Sequence, residues 1–337
     1  METLYVVEPG SYIKKAGNAL TIIKKGTILN TVPAAGLEKL ILAGYISLSG
    51  SVMDFLIKNR VETVFITPTG RFRARLMIDE HKHVALRRAQ YLKLNQENFS
   101  VKTMKILVKG KLVNMVSFLL RRGKDYKDDI LRNAAAGIKA LTRTLDQNIS
   151  KDAVRGIEGA GTRIYFNVFN RLIRNPDFSF KGRNRRPPRD PVNALLSFVY
   201  TLLTNEVLSA IKISGLDPYM GSLHEISYGR PSLACDLVEE YRCIIGDRLV
   251  LSLLNRKMIK PGDFDYKNTA DISFTDEQEM KQKRPVTMKP YLYKTFLSSY
   301  EETMTGSSMY RNVMRDQVRK FCDHLKETGT IYQPLVM

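Results

Sequence analysis

Over residues 1–80 apolar and polar positions alternate with a period of two. LYVVE, SYIKKAGNALTIIKK, TILNTVP, LEKLILAG and TVFITP are short, rich in Val, Ile, Thr and Tyr, and separated by Gly, Pro and Asn. That pattern predicts strands joined by tight turns, with a hairpin turn at AGN, 16–18. One helix is predicted among them, SGSVMDFLIKNR (49–60), with a Ser cap and Val52, Phe55 and Leu56 at helical spacing. From about residue 84 the period lengthens to that of a helix and stays there, through VALRRAQYLKL, VKTMKILVKGKLVNMVSFLLRR, DILRNAAAGIKALTRTL and 151–174. The expected fold class is therefore α+β: a small β-rich N-terminal domain over 1–84, then a larger all-α domain over 85–337.

Further along, Asp190 and Pro191 predict a helix start, Asp as the cap and Pro at the first helical position. The helix they open, NALLSFVYTLLTNEVLSAIKI, is apolar over most of its circumference and reads as the buried centre of the domain. GLDPYMGSLHEISYGRPS turns the chain back into another helix, in which Leu233 and Leu237 form the core stripe. After residue 260 the pattern is lost, and 262–288 reads as a loop or short hairpin. A last helix is expected to carry Met309, Val313, Val318, Phe321 and Leu325 on or near one face and to leave His324 on the surface.

Charge changes the picture. Lys and Arg number 53 against 34 Asp and Glu, a net +19. Counted along the chain, 1–84 holds 11 basic and 7 acidic residues, 85–190 holds 24 and 9, and 191–337 holds 18 and 18. An excess concentrated in the middle third points to a polyanion-binding surface, and nucleic acid is the commonest large polyanion. NPDFSFKGRNRRPPRDP carries Lys181, Arg183, Arg185, Arg186 and Arg189 without helical pattern, and phosphate contact is favoured there over a solvated tether. Arg71, Arg73 and Arg75 alternate along an extended run, readable as a phosphate strip or as a strand edge guarded by charge. Cys235, Cys243 and Cys322 lack metal-ligand spacing and read as reduced thiols. The opening residues lack a signal-peptide pattern, and no apolar run is expected to approach the roughly 20 residues of a membrane span. A cytoplasmic protein without membrane contact is expected.

Candidate chemistry lies at residues 221–242, GSLHEISYGRPSLACDLVEEYR. His224 precedes a turn-rich segment, and Asp236, Glu239 and Glu240 follow at i, i+3 and i+4 of a helix, on one face. An imidazole with two or three carboxylates suits Mg2+ or Mn2+; a solvated acidic face with a structural His is the other reading. A second point is Glu158, set among Gly156, Gly159, Ala160 and Gly161. Glycines in a helix cost about 1 kcal/mol each relative to Ala, so close approach of another backbone or a substrate is expected there. A solvent-facing Glu near a frayed helix start is the alternative.

Taken together, RGIEGAGTRIYF, GRNRRPPRDPVNALLSFVYTLL and GSLHE…GRPSLACDLVEEYR resemble, in order, the signature blocks of the CRISPR-associated spacer-acquisition endonuclease/integrase family, "Cas one". The resemblance implies a metal site of Glu158, His224 and Glu239, which are also the catalytic residues, with Asp236 supporting beside it. Many members carry Asp where this chain has Glu239. It also implies the chemistry: the 3′-hydroxyl of a captured DNA fragment attacks a phosphodiester of the CRISPR array, in antiviral defence, without a protein nucleophile. The implied partners are double-stranded DNA (spacer precursor and leader-repeat), a second copy in a homodimer, and a smaller adaptation subunit, "Cas two". The N-terminal domain would serve dimer and partner contacts. A structure-selective nuclease, a transposon-type integrase and a non-catalytic DNA-binding scaffold are the competing readings.

Overall fold

The structure is a computed structural model describing residues 2–67, 72–76, 83–184, 187–266, 286–326 and 330–337. It divides into two compact units, one of Met1–Glu80 and Met288–Phe296, the other of His81–Thr287 and Leu297–Met337.

In the first unit, strand β1 (Glu2–Val6), β5 (Leu37–Ala43), β7 (Glu62–Ile66) and β8 (Phe72–Leu76) form one sheet in the order β1-β5-β7-β8. β1 and β7 run parallel to β5, and β8 runs antiparallel to β7. β5 buries six of its seven residues, which is why LEKLILA is a nearly unbroken apolar run rather than an alternating one. A second sheet has the order β4-β3-β2-β6, with β2 (Tyr12–Ala16), β3 (Ala19–Lys24), β4 (Thr27–Pro33) and β6 (Ser47–Leu48). The β2–β3 hairpin closes with Ala16 paired to Ala19, where the AGN turn was expected. Helix α1 (Gly50–Lys58) is capped by Ser49, which accepts from the Val52 N–H at 3.3 Å. Val52 and Leu56 pack into a core with Ile13, Leu20, Leu40 and Leu42.

Two of the three arginines of the strip lie among the described residues. Arg71 lies outside the described residues. Arg75 is 2.9 Å from Glu62 with a side chain only 6% exposed, and Arg73 lies over the Tyr45 ring. Arg75 is thus taken up by Glu62 of the neighbouring strand, as a guarded edge requires, whereas Arg73 stays exposed on β8 at the sheet edge.

The second unit is helical. α2 (Val84–Asn95), α3 (Glu97–Asp125), α4 (Asp129–Thr144) and α5 (Lys151–Val168) come first. Asp128 caps α4 and Ser150 caps α5. α3, α4 and α5 pack pairwise. α6 (Pro191–Ile213) starts at the Asp190 cap, whose carboxylate accepts from the Asn193 N–H at 2.8 Å. α7 (Ser232–Tyr241), a π-turn (Arg242–Asp247) and α8 (Arg248–Asn255) follow, and α7 packs on both α3 and α6. α9 (Pro290–Thr305) and α10 (Tyr310–Leu325) are the last helices described. Strands β9 (Phe264–Tyr266) and β10 (Val286–Met288) pair in a two-stranded sheet; the rest of the expected loop, 267–285, lies outside the described residues.

Three expectations need correction. First, an apolar run of spanning length does exist among the described residues: α6 has 23 residues, and 78% of its most apolar window is buried inside the fold. It is the core helix that its all-round apolarity predicted, with Leu195, Val199, Leu203 and Val207 fully enclosed. Second, α10 buries Tyr310, Met314, Gln317, Val318, Phe321 and Leu325, whereas Met309 is 53% exposed at the helix cap. Met309 falls outside the buried face because it is the cap residue, before the first turn of the helix. Third, His324 is buried. Its ring stacks on Phe99 at 4.7 Å and Nε2 lies 3.1 Å from Thr103 Oγ1. Burial, with Lys102 adding to it, pushes its pKa down. The three cysteines are free thiols, Cys243 and Cys322 buried.

Candidate metal centre

α3, α5 and α7 meet around a cluster of charged side chains. α5 presents Glu158 and α7 presents Glu239, and the Lys111 ammonium of α3 bridges the two carboxylates. It donates a short hydrogen bond to Glu158 Oε1 and lies 2.7 Å from Glu239 Oε2. Thr162, one turn along α5, also donates to Glu158 Oε1 at 3.0 Å. Glu158 is partly open, with 25% of its side chain exposed, whereas Glu239 is 3% exposed and Lys111 4%.

Close helix approach makes this geometry possible at Gly161. A Cβ there would come within 2.4 Å of Leu112 Cδ2 on α3. The glycine-rich run therefore divides by role. Gly161 is the packing glycine, while a Cβ at Gly156 or Gly159 would meet nothing within 4 Å. The close approach at Gly161 is by a side chain, Leu112, rather than by another backbone as expected, and the α5 surface at Gly156 and Gly159 is left bare.

Glu239 Oε1 pairs with Arg242 at 2.8 Å. Burial alone would raise the Glu239 pKa, but Arg242, then Lys111, then His224 hold it down to about 2. The guanidinium of Arg242 lies over the Tyr200 ring, 5.1 Å from its centroid, and that of Arg183 at 5.4 Å. The Tyr200 hydroxyl donates to Asp247 Oδ1 at 2.5 Å, and the Tyr165 hydroxyl donates to its Oδ2 at 2.9 Å. Asp247, in the π-turn, is enclosed, and burial raises its pKa to about 6 against the pull of the two hydroxyls.

His224 is delivered by the loop before α7 and held by Asp236. The Asp236 carboxylate accepts backbone N–H groups of Ser222 at 2.6 Å, Leu223 at 2.9 Å and His224 at 2.9 Å. Its Oδ1 is also 2.8 Å from His224 Nδ1. Gly221 lets this loop lie on α7, since a Cβ there would sit 2.6 Å from Asp236 Oδ2 and 2.8 Å from the Ser232 backbone. Arg155 on α5 fastens the other side, donating to the Leu223 carbonyl at 3.0 Å and to Glu225 at 2.9 Å.

The three acids of α7 therefore do not share a face in function. Asp236 binds the loop, Glu239 faces Lys111 and Glu158, and Glu240 turns to the C-terminal segment. There Glu240 accepts from the Tyr332 hydroxyl and from the Leu335 N–H at 2.9 Å. All three are buried, so the solvated-face reading does not hold. Glu240, taken at first as one of three candidate ligands, is a structural carboxylate whose burial raises its pKa to about 7.

Two carboxylates and an imidazole are a donor set suited to a hard divalent cation. Among the described residues no three such donors are gathered closely enough to hold an ion in this arrangement, because an ammonium already lies between two of them. The fit rests on three observations. Glu158 and Glu239 converge on one cation. Glu239 Oε2 is buried and turned toward the Lys111 ammonium, 2.7 Å away. Asp236 engages Nδ1 of His224 and so leaves Nε2 for a ligand, the usual carboxylate–histidine–metal relay.

In the basic segment, Lys181 and Arg189 are exposed, while Arg185 and Arg186 lie outside the described residues. Arg183 turns inward, donating to the Asn184 carbonyl and to Asn193 Oδ1, each at 2.6 Å, and to Ser197 at 3.1 Å. Sequence reasoning missed Lys111, Arg155 and Arg242. Lys111 had a signal: it falls on the apolar face of α3 with Met104, Leu107, Val108 and Met115, where a lysine is a misfit unless something buried pairs with it.

Comparison with known proteins places the chain among CRISPR-associated proteins. The model of the family described as CRISPR associated protein Cas1 matches residues 4–284. A curated relative, CRISPR-associated endonuclease Cas1 1 of Chlorobaculum tepidum, is 37% identical over 283 residues, 82% of each chain. Among solved structures, a Cas6-RT-Cas1–Cas2 complex superposes with a TM-score of 0.81 at 20% identity, over 99% of this chain and 36% of that one. A casposase bound to integration product gives 0.80 at 21% identity, over 99% and 93%.

Proposed function

This chain belongs to the Cas1 family, and we propose that it is a metal-dependent DNA endonuclease and integrase of CRISPR adaptation, inserting spacer DNA by 3′-hydroxyl transesterification. The observation that carries the reading is the convergence of Glu158 and Glu239, from different helices, on a single cation, together with the orientation of the His224 imidazole by Asp236.

Glu158, Glu239 and Nε2 of His224 would hold the ion. Bound there, Mg2+ or Mn2+ would supply Lewis-acid activation of the attacking hydroxyl and charge stabilisation of the leaving oxygen. The protein's own part is orientation. Asp236 fixes the imidazole and its loop, and Thr162 and Arg242 fix one oxygen of each carboxylate. The bare flank of α5 at Gly156 and Gly159 gives a sugar-phosphate backbone access to Glu158. The net +15 of residues 85–190 would hold duplex DNA through phosphates, with Lys181 and Arg189 among the contacts.

Further parts of the proposal are assembly and location. The chain would act as a homodimer with a Cas2 subunit, its β-rich domain serving those contacts, in the cytoplasm. The reading is tested by strand transfer of a labelled duplex into a supercoiled plasmid carrying leader and repeat, with the partner subunit present. Joined product with Mn2+ and none with EDTA is expected. Nicking without joining would favour a structure-selective nuclease. Salt-sensitive binding without chemistry under either metal would favour a scaffold.

A further inference from the structure

Lys111 has no task in a three-donor metal centre, yet its ammonium lies between two of the three candidate donors. Resting on the metal-centre reading above, we propose that Lys111 is a built-in counter-cation that divalent metal must displace from Glu158 and Glu239, which couples completion of the site to the arrival of a substrate phosphate.

The ammonium contacts one oxygen of each acid, Oε1 of Glu158 and Oε2 of Glu239. Arg242 takes the other oxygen of Glu239, so it fixes the carboxylate without contesting the same lone pairs. Lys111 does compete for them: an ammonium and a divalent ion bridging the same two oxygens would be like charges a few ångströms apart, and these repel strongly. Without a cation between them, Glu239, buried, would keep only Arg242, and Glu158, partly buried, would face it without the counter-charge of Lys111. Lys111 therefore keeps the pair assembled before metal binds.

The backbone beside Lys111 is fixed. A Cβ on Gly110 would meet Pro334 at 2.4 Å, and Leu112 is packed against Gly161. Displacement must then come from rotation of the flexible lysine stem rather than from movement of α3. The displaced ammonium remains in a largely enclosed region and needs a new anion. A DNA phosphodiester is the anion that the reaction brings. Metal and DNA are thereby linked through one side chain, and the linkage is reciprocal.

The test is Mn2+ titration of the full-length protein without DNA, followed by electron paramagnetic resonance of free Mn2+. Lys111→Gln and Lys111→Met should bind Mn2+ at least tenfold more tightly than the wild type, and the charge-preserving Lys111→Arg should not. Adding a duplex oligonucleotide should tighten Mn2+ binding more in the wild type than in Lys111→Gln. The glutamine variant keeps hydrogen-bond donors between the acids, and circular dichroism verifies folding of each variant. Folded neutral variants that bind Mn2+ no more tightly than a metal-binding wild type overturn the counter-cation role alone. If neither the wild type nor the folded variants bind Mn2+ at millimolar concentration, the metal-centre reading fails and this proposal falls with it.

Discussion

Nδ1 of His224 lies 2.8 Å from Oδ1 of Asp236, and the same carboxylate gathers three consecutive backbone N–H groups of residues 222–224. One buried acid thus sets both the path of the loop and the nitrogen that the imidazole offers. Asp236→Ala is expected to weaken Mn2+ binding by about 10–100-fold, the usual effect of losing an outer-shell partner. It should also lower the thermal midpoint, because buried N–H groups lose their acceptor. Asp236→Asn, which can keep part of the acceptor role, should fall between. Calorimetry on the three proteins checks both effects; unchanged metal affinity in Asp236→Ala would remove the relay.

Asp247 makes stability depend on pH in a predictable direction. Its pKa is raised to about 6 by burial, above its value in the unfolded chain. Between about pH 4 and 6 the folded state therefore holds the proton more tightly than the unfolded state. That contribution is complete below pH 4 and is lost as pH rises through 6. Relative to Asp247→Asn, the wild type should lose about 2–3 kcal/mol between pH 4 and 7. Urea denaturation of both proteins across this range measures the difference; parallel curves would contradict the raised pKa.

The glycines around Glu158 should separate stability from function. Gly161→Ala brings a Cβ against Leu112, and an overpacked contact costs about 1–3 kcal/mol. Gly156→Ala and Gly159→Ala meet open space and should stabilise the free protein by about 0.5–1 kcal/mol each. If DNA approaches the bare flank of α5, these two variants lose strand transfer while gaining thermal stability. Full activity in both would place the DNA elsewhere.

The basic segment divides likewise. Lys181→Ala and Arg189→Ala are expected to leave the fold intact and to lower the slope of log K for duplex binding against log salt by about 0.9 each. Arg183→Ala should instead destabilise the protein, since the guanidinium is tied to Asn184, Asn193 and Ser197. Filter binding over a salt series, paired with thermal melts, distinguishes the two behaviours.

Much of this was legible in the sequence because local rules decide it. The strands of the first unit, the Ser49 and Asp190 caps and the all-round burial of α6 follow from side-chain period and capping chemistry. His224, Asp236, Glu239 and Glu240 stand out by position and Glu158 by its glycine surroundings, and the family resemblance selects Glu158, His224 and Glu239 among them. What was not legible depends on which neighbour each face meets. At 3.6 residues per turn, Glu239 and Glu240 point about 100° apart, and in a helix packed on several sides that angle sends them to different partners. His324 was misplaced for the same reason, since its polar character says nothing of Phe99 and Thr103 waiting on α3. Lys111 was visible only as a charge in an apolar stripe, and its meaning required the acids of two other helices.

The central claim is that Glu158, His224 and Glu239 hold one divalent ion. Crystals of the protein soaked in Mn2+, measured at the manganese absorption edge, test it most directly. A single strong anomalous peak is predicted within about 2.0–2.5 Å of a carboxylate oxygen of Glu158, a carboxylate oxygen of Glu239 and Nε2 of His224, with the Lys111 ammonium moved away. A peak held by other residues, or none at saturating Mn2+ with Lys111 still bridging the two acids, would contradict it.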